Sequence, residues 1–158
     1  MTGYEFDDID RRILRLLQRD ASLSVADIAD QVGLSTTPCW RRIQNMEKAG
    51  VIRARVALLD RASLNVGVTV YVSLRAGRHS HEWLEDFARN VSRIEEVVEF
   101  YRMSGDVDYL LKIVVPDIAA YDDVYKRLIK AAEFSDVSSA FAMEEIKYAT
   151  ELPLGYAG

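Results

Sequence analysis

Hydrophobic residues in the first third of the chain recur with the period of an α-helix. The first stripe, at spacings i, i+4, i+7 and i+8, comprises Ile9, Ile13, Leu16 and Leu17. Asp7 and Asp10 stand three residues apart at its start, which is the pattern of a capping box. The sequence therefore predicts a helix that begins just after Asp7.

Two shorter helices are predicted downstream. Ser24 with Asp27 repeats the capping pattern before a second apolar stripe, which comprises Val25, Ile28, Ala29 and Val32. Gly33 can end that helix in the left-handed conformation, and Ser35 can cap a third helix. Three short helices with a tight turn between the last two predict a helix-turn-helix. The strand-like segment 51–59, "VIRARVALL", predicts a short wing after it.

After a short linker the hydrophobic period changes to two, which is typical of a half-buried strand. The predicted elements are then, in order, a strand at 68–75, a helix at 84–91, strands at 97–104 and 109–115, a helix at 118–128 and a last strand within 137–149. The order β-α-β-β-α-β predicts a ferredoxin-like domain. The predicted fold class is thus α+β, with a winged helix-turn-helix domain at 1–59, a linker at 60–67 and a ferredoxin-like domain at 68–158.

The distribution of charge adds a candidate function to this picture. The 158-residue chain has a formal net charge of −5. Residues 1–57 carry 9 Lys+Arg and 8 Asp+Glu, net +1, and residues 58–158 carry 11 and 17, net −6. Within the first part, residues 32–56 carry five basic residues and one acid, Glu47. A local cationic stretch on an acidic protein indicates a polyanionic partner, although winged helices also serve as protein-interaction modules.

The third helix would gather its polar residues on one face. At about 100° per residue, its apolar face comprises Cys39, Ile43 and Met46. The opposite face comprises Thr37, Arg41, Gln44 and Lys48. In a major groove the N-terminal half of such a helix lies nearest the bases, so the first three of these residues are predicted to read base edges. Phosphate contacts are predicted for Arg42, Lys48, Arg53 and Arg55, and for backbone N–H groups at Ser24 and Ser35. Trp40 and Arg42 lie on the flanks of this face, and Thr36 and Trp40 are also predicted to contact DNA.

Two segments together carry a family resemblance: "LSTTPCWRRI" at 34–43 and "GDVDYLL" at 105–111. From about Asp7 to Leu154 the chain resembles the Lrp/AsnC (feast/famine) transcription regulators, and within them the branch that contains the cysteine-responsive regulator of cysteine desulfidation. The resemblance implies a DNA-binding regulator, not an enzyme, with a regulation-of-amino-acid-metabolism (RAM) domain of ferredoxin-like fold. It further implies dimers that form through the sheet domain and assemble into octamers or larger particles, double-stranded DNA as partner, no cofactor, and an amino-acid effector, for which L-cysteine is the first choice.

The resemblance also implies an effector site near the hairpin "MSGDVDY". Carried over position by position, that site comprises Met103, Ser104, Gly105, Asp106, Asp108 and Tyr109, closed by Val137, Ser138 and Ser139. Backbone N–H groups around Gly105 could hold an α-carboxylate, and Asp106 or Asp108 could pair with an α-ammonium group. Taken without the family, Gly and Asp are ordinary hairpin residues.

Other readings of the sequence remain open or are set aside. An architectural DNA-binding protein with little sequence preference and an amino-acid-sensing partner protein are the two alternatives to a specific regulator. His79, His81 and Glu82 are interpreted as surface polar residues rather than a metal site, and Cys39 as a small buried residue rather than a thiol switch. The single cysteine, the missing signal-peptide pattern and the missing membrane-length apolar run predict a soluble cytoplasmic protein with no membrane partner. As a DNA-binding protein, it is expected to associate with the nucleoid.

Overall fold

A computed structural model describes residues 4–77, 81–131 and 134–157, excluding the side chains of His81, Glu82 and Leu84. The described chain forms two compact units. The residues up to Leu58 and those from Lys147 onward form the first unit, and Leu59–Ile146 forms the second. Within these described ranges, no helix is long and apolar enough to cross a bilayer.

The first unit contains the three predicted helices, α1 (Asp8–Arg19), α2 (Val25–Val32) and α3 (Thr36–Lys48). Both predicted capping boxes are confirmed: the cap residue accepts from the backbone N–H three residues on, and the acid at that position accepts in return. Gly33 ends α2 with φ 76°, in the left-handed region that favours glycine. The helix-turn-helix is therefore built as the local sequence signals predict.

The core of the first unit is formed by the apolar stripes of the three helices, which pack against one another. Its buried members are Ile13, Leu14, Ile28, Ala29, Val32, Cys39, Ile43 and Met46. Each fully buried Ile, Leu or Met side chain contributes roughly 1.5–3 kcal/mol, so this cluster is the main source of cohesion for three helices too short to persist alone. Because α3 contributes three of these side chains, its polar face is turned outward.

The predicted wing strand does not form. Residues 51–59 form neither a helix nor a strand, and the apolar side chains of Val56, Leu58 and Leu59 are 73%, 64% and 69% exposed. A segment with strand-like residues becomes a strand only when a neighbouring strand takes its backbone groups, and the described chain provides no such neighbour for these residues.

The C-terminal tail, residues 147–157, also differs from the prediction, which assigned it to the second domain. It packs on α1: the Leu152 N–H donates to Gln18 Oε1 (2.6 Å), Gln18 Nε2 donates to the Leu152 carbonyl (3.3 Å), and Arg11 Nε donates to the Ala157 carbonyl (3.0 Å). Leu154 packs against the helical core. Polar residues on α1 thus satisfy backbone groups of the tail, a pairing across more than 130 residues that no local pattern indicates.

The second unit has the predicted ferredoxin-like order βαββαβ. Its elements are β1 (Val68–Ala76), α4 (His81–Val91), β2 (Val97–Arg102), β3 (Tyr109–Val115), α5 (Ile118–Ala131) and β4 (Phe134–Phe141). The four strands form one antiparallel sheet in the order β2-β3-β1-β4. The last strand begins before the predicted segment 137–149 and ends at Phe141, so only part of that segment is strand.

The alternation predicted for β1 determines the two faces of the sheet. Val70, Val72 and Leu74 are fully buried, in the same core as side chains of α4 and α5. Tyr71 and Arg75, which alternate with them, are exposed on the opposite face. The sheet therefore has one face covered by helices and one face with exposed side chains.

Candidate nucleic-acid interface and effector hairpin

The outward face of α3 presents most of the residues that were predicted to contact DNA. Cys39, Ile43 and Met46 are buried, and the residues exposed around them include Ser35, Thr36, Thr37, Trp40, Arg41 and Lys48. The side chain of Trp40 is half exposed. Arg53 is exposed just beyond the helix. The predicted separation of an apolar face from a polar face is therefore observed.

Glu47 holds two of the predicted DNA-contacting residues. Gln44 Nε2 donates to Glu47 Oε2 (2.8 Å), and Arg55 Nη2 donates to Glu47 Oε1 (3.0 Å). Gln44 is only partly exposed. The single acid of this basic stretch thus engages an amide and a guanidinium that were expected to reach DNA.

Arg42 does not lie free on the DNA-facing side, contrary to its predicted phosphate contact. Its Nη1 donates to Asp7 Oδ2 (2.7 Å) and to Asp10 Oδ1 (2.8 Å), and the side chain of Asp10 is only 3% exposed. A nearly buried carboxylate needs a positive partner, so Arg42 joins α3 to α1. The hydrogen bonds that Arg42 donates to the Asp10 and Asp7 carboxylates raise the pKa of Arg42, which stays charged.

The two helix N-termini predicted to face phosphate differ from each other. At α2 the cap is closed, because Ser24 and Asp27 bind each other's backbone N–H groups and the Asp27 carboxylate already occupies the positive end of the helix. At α3 the Ser35 side chain makes no cap hydrogen bond. The geometry therefore favours the N-terminus of α3, and not that of α2, as a position for an external anion.

Sequence reasoning missed one exposed polar residue on this side of α3. Asn45 is exposed and lies about 40° around the helix from Arg41. Its angle on the same helical wheel would have identified it, and its side-chain amide can pair with adenine.

The predicted effector hairpin is tied to the end of β1. The Asp108 N–H donates to the Leu74 carbonyl (2.9 Å), and the Ala76 N–H donates to Asp108 Oδ2 (2.8 Å). Arg75 Nε donates to the Asp106 carbonyl (2.6 Å). Gly105, with φ 117°, allows the turn a conformation that a side chain would strain. Asp108 thus shapes the loop, while the side chain of Asp106 is exposed.

The residues predicted for the effector site divide into two groups. Met103, Ser104, Gly105 and Asp106 are exposed in the loop. Tyr109 is instead a core residue: it is 3% exposed, its ring lies 5.1 Å from that of Phe87, and burial raises its pKa. Tyr109 is therefore part of the core in this single chain, and its contact with a ligand stays a prediction.

The three predicted residues of β4 do not share one face. Val137 packs against the core, and the hydroxyl of Ser139 hydrogen-bonds that of Tyr121 on α5. Ser138 alternates with them and stands opposite Ser73 on the other face. Because Leu74 pairs with both Tyr109 and Val137, the hairpin and the start of β4 do meet at one end of the sheet.

Cys39 lies within the helical core, and burial raises the pKa of its thiol. A raised pKa reduces the thiolate fraction, so Cys39 acts as a small apolar residue. His79 and the side chains of His81 and Glu82 lie outside the described residues.

Comparisons with known structures cover nearly the whole chain. An AsnC family transcriptional regulator from Agrobacterium tumefaciens matches with a TM-score of 0.93 and 68% identity, over 96% of this chain and 99% of that one. A transcriptional regulator from Neisseria meningitidis, in complex with L-Met, matches with a TM-score of 0.90 and 34% identity, over 96% and 98%.

Comparisons by sequence agree with them. Residues 6–53 match the winged helix-turn-helix DNA-binding family model, and residues 69–152 match the Lrp/AsnC ligand binding domain. The glutamate uptake regulatory protein of Zymomonas mobilis is 47% identical over 95% of this chain and 92% of its own length. The DNA-binding transcriptional activator DecR of Escherichia coli is 45% identical over 94% and 98%.

Proposed function

Because the chain belongs to the Lrp/AsnC family of transcriptional regulators, we propose that α3 reads a specific DNA sequence and that an amino acid bound to the second unit changes this reading. The regulator class, its ligand-binding domain and its non-enzymatic character are those of the family. The observation that carries the DNA proposal is the exposed polar face of α3, which presents Thr37, Arg41 and Lys48 in a chain of net charge −5.

The proposed contacts follow from which side chains are exposed. Thr37 and Arg41 read base edges from the N-terminal part of α3, with Thr36 and Trp40 beside them. Lys48, Arg53 and the open N-terminus at Ser35 contact phosphates. Gln44 and Arg55 contact DNA only if their hydrogen bonds to Glu47 are broken on binding. Arg42 and Ser24 are not among the proposed DNA contacts.

An amino acid is proposed as effector, and L-cysteine as the first to test. The exposed loop around Gly105 offers backbone N–H groups to an α-carboxylate, and Asp106 offers a carboxylate to an α-ammonium group. The complex of the Neisseria meningitidis relative with L-Met supports an amino acid as the class of ligand. The choice of cysteine rests on the sequence resemblance to the cysteine-responsive branch.

Several copies of the chain are proposed to act together, as homodimers assembled into octamers or larger particles at the cytoplasmic nucleoid. Exposed apolar side chains support association: Val56, Leu58, Met143 and Ile146 are between 64% and 95% exposed on segments without regular structure. Paired recognition helices then match half-sites about 34 Å, or a multiple of that, apart. Several such pairs raise the effective concentration of DNA at each helix.

The proposed regulation is a linkage between two equilibria. An amino acid that binds one quaternary arrangement better than another shifts the population, and thereby the spacing or number of the recognition helices that DNA meets. The coupling is reciprocal, so DNA must change the affinity for the amino acid by the same factor.

The test is a gel-shift titration on the DNA upstream of the protein's own gene and on a shuffled duplex of equal composition. Both are measured without ligand and with L-cysteine, L-methionine, L-leucine or L-glutamate. Selective binding that one amino acid changes supports the proposal and identifies the ligand. Equal affinity for both duplexes with no response favours an architectural protein, and amino-acid binding without any DNA binding favours a partner protein.

A further inference from the structure

The capping box of α1 also binds Arg42 of α3, a contact that its sequence pattern does not predict. Each of its two carboxylates gives one oxygen to the cap and one to Arg42. Asp7 Oδ1 accepts from the Asp10 N–H (2.8 Å) and Asp10 Oδ2 from the Asp7 N–H (3.3 Å), while Asp7 Oδ2 and Asp10 Oδ1 both accept from Arg42 Nη1. We refer to these three residues as the Asp7–Asp10–Arg42 cluster.

The cluster holds Arg42 firmly but close to the surface. The Arg42 side chain is 31% exposed, and Asp10 is nearly buried. If Arg42 left to bind a phosphate, the buried Asp10 carboxylate would lose its cation, which is costly. DNA therefore cannot recruit Arg42 without breaking this pair.

The position of Arg42 makes this restraint relevant to DNA binding. Arg42 follows Arg41 directly and lies about 100° around α3 from it, on the flank of the polar face. A released guanidinium on the flank of a recognition helix is suited to a phosphate contact, which strengthens binding to any sequence. A regulator that must select its sites in a whole genome is harmed by such sequence-independent affinity.

We infer that Asp7 and Asp10 are specificity-determining residues, which act through Arg42 by withholding it from the DNA backbone and by fixing the rotation of α3 on α1. This inference rests on the proposed function, because it assumes that α3 meets DNA. It differs from a purely structural role, since a structural role predicts loss of binding to every duplex when the cluster is broken.

The experiment compares Asp10→Asn and Asp7→Asn with the parent full-length protein by fluorescence anisotropy over a range of salt concentrations. The probes are a duplex that the parent protein selects from a random pool and a shuffled version of it. Asn caps a helix as well as Asp does, so Asp7→Asn keeps the cap and removes one of the two charges that hold Arg42. Because Asp10 still pairs with Arg42 in this variant, a smaller effect in the same direction is expected, and it provides a second test if Asp10→Asn fails to fold.

Two further variants serve as controls. Asp8→Asn makes the same charge change one residue away, at a side chain that is 98% exposed and paired with Arg11. The double variant Asp10→Asn, Arg42→Gln removes the guanidinium that the single variant releases.

The single variants are expected to bind the shuffled duplex more tightly than the parent protein does. The slope of log affinity against log salt concentration should be steeper by about 0.9 for each α3 in contact. If the affinities are equal at 1 M salt, this slope corresponds to a gain of up to about eightfold at 0.1 M. The ratio of specific to shuffled affinity then falls. Asp8→Asn is expected to show neither change, and the double variant to lose the gain.

The inference is overturned if the folded single variants leave the shuffled-duplex affinity and salt slope unchanged, if Asp8→Asn reproduces the gain, or if the gain survives without Arg42. If the proposed function itself is wrong, the parent protein selects no duplex from the pool, so this outcome is distinguishable from failure of the inference.

Discussion

Asp106 and Asp108 lie in the same loop, but their replacement is expected to affect different properties, ligand affinity for Asp106 and stability for Asp108. Asp108 Oδ2 accepts the backbone N–H of Ala76, a residue that is 8% exposed, so Asp108→Ala leaves a nearly buried donor without its partner. Asp106 is exposed and is bound through its backbone carbonyl, which a side-chain substitution leaves in place. Asp108 is therefore expected to support the fold of the hairpin, and Asp106 to support the ligand.

The size of the effect follows from that hydrogen bond. A hydrogen bond to a charged group contributes about 1.5–3 kcal/mol, and an unsatisfied N–H costs about 1–3 kcal/mol. Because Asp108 is only partly buried and water can partly replace it, we expect Asp108→Ala to lower the free energy of unfolding by about 1–2 kcal/mol. For a unit of this size that corresponds to a fall in Tm of about 4–16 °C. Asp108→Asn keeps an acceptor oxygen, so its loss is expected to be less than half as large.

The assay follows thermal unfolding through Trp83, which packs 5.1 Å from Phe87 in the second unit, in a Trp40→Phe background that removes the other tryptophan of the chain. Calorimetric titration with the amino acid that alters DNA binding gives the second readout. Asp106→Ala is the matched control and is expected to keep the Tm and lose affinity for the amino acid. The reasoning is refuted if Asp108→Ala keeps the parent Tm while losing the ligand.

Three further predictions follow from the first unit. Glu47→Gln frees Gln44 and Arg55, so anisotropy should show tighter binding to any duplex, by roughly two- to eightfold, with a steeper salt slope; an unchanged slope would contradict this. Cys39 is fully buried, so a thiol reagent can reach it only after the helical core opens locally. If that opening costs about 3 kcal/mol, native protein should be labelled at least about 100-fold more slowly than urea-unfolded protein. Equal labelling rates would show that the thiol is accessible. The backbone hydrogen bond from Asp10, with Arg42 adding to it, lowers the pKa of Asp7, so its stabilisation is present above pH ~4 and is lost as the pH falls through that lowered pKa. Urea midpoints of the parent protein and Asp7→Asn should therefore converge as the pH falls below about 4, and a constant difference would contradict the linkage.

The parts of the fold that could be predicted are those specified by nearby residues. The apolar stripes, the capping pairs at Asp7 and Ser24, the left-handed Gly33 and the alternation along β1 each act within a few residues, and the structure agrees with them. The strand predicted for segment 51–59 does not form in the single chain, because the segment has strand-forming residues but no strand beside it, and pairing is not a local property.

The candidate site, like the fold, was predictable where nearby residues determine it and not where distant residues do. The outward face of α3 was predictable because it is the complement of a buried stripe. The roles of Arg42 and Asp108 were not, because each is determined by a partner 32 residues away in sequence, Asp10 for the one and Ala76 for the other. Tyr109 stands beside exposed loop residues in the sequence but in an aromatic core in space, a difference that only the packing of Phe87 and Phe100 reveals.

The central claim, that α3 reads sequence, is tested most directly by the specificity ratio of Arg41→Ala. The affinities of the parent protein, Arg41→Ala and Lys48→Ala are measured for the selected duplex and its shuffled version over a range of salt concentrations. The account predicts that Arg41→Ala weakens binding to the selected duplex by 1–3 kcal/mol more than to the shuffled one, an order of magnitude typical of a lost base contact, roughly 5- to 150-fold. Lys48→Ala should weaken both equally and flatten the salt slope by about 1. Equal losses on both duplexes for Arg41→Ala would contradict the claim and leave α3 as a sequence-independent DNA contact.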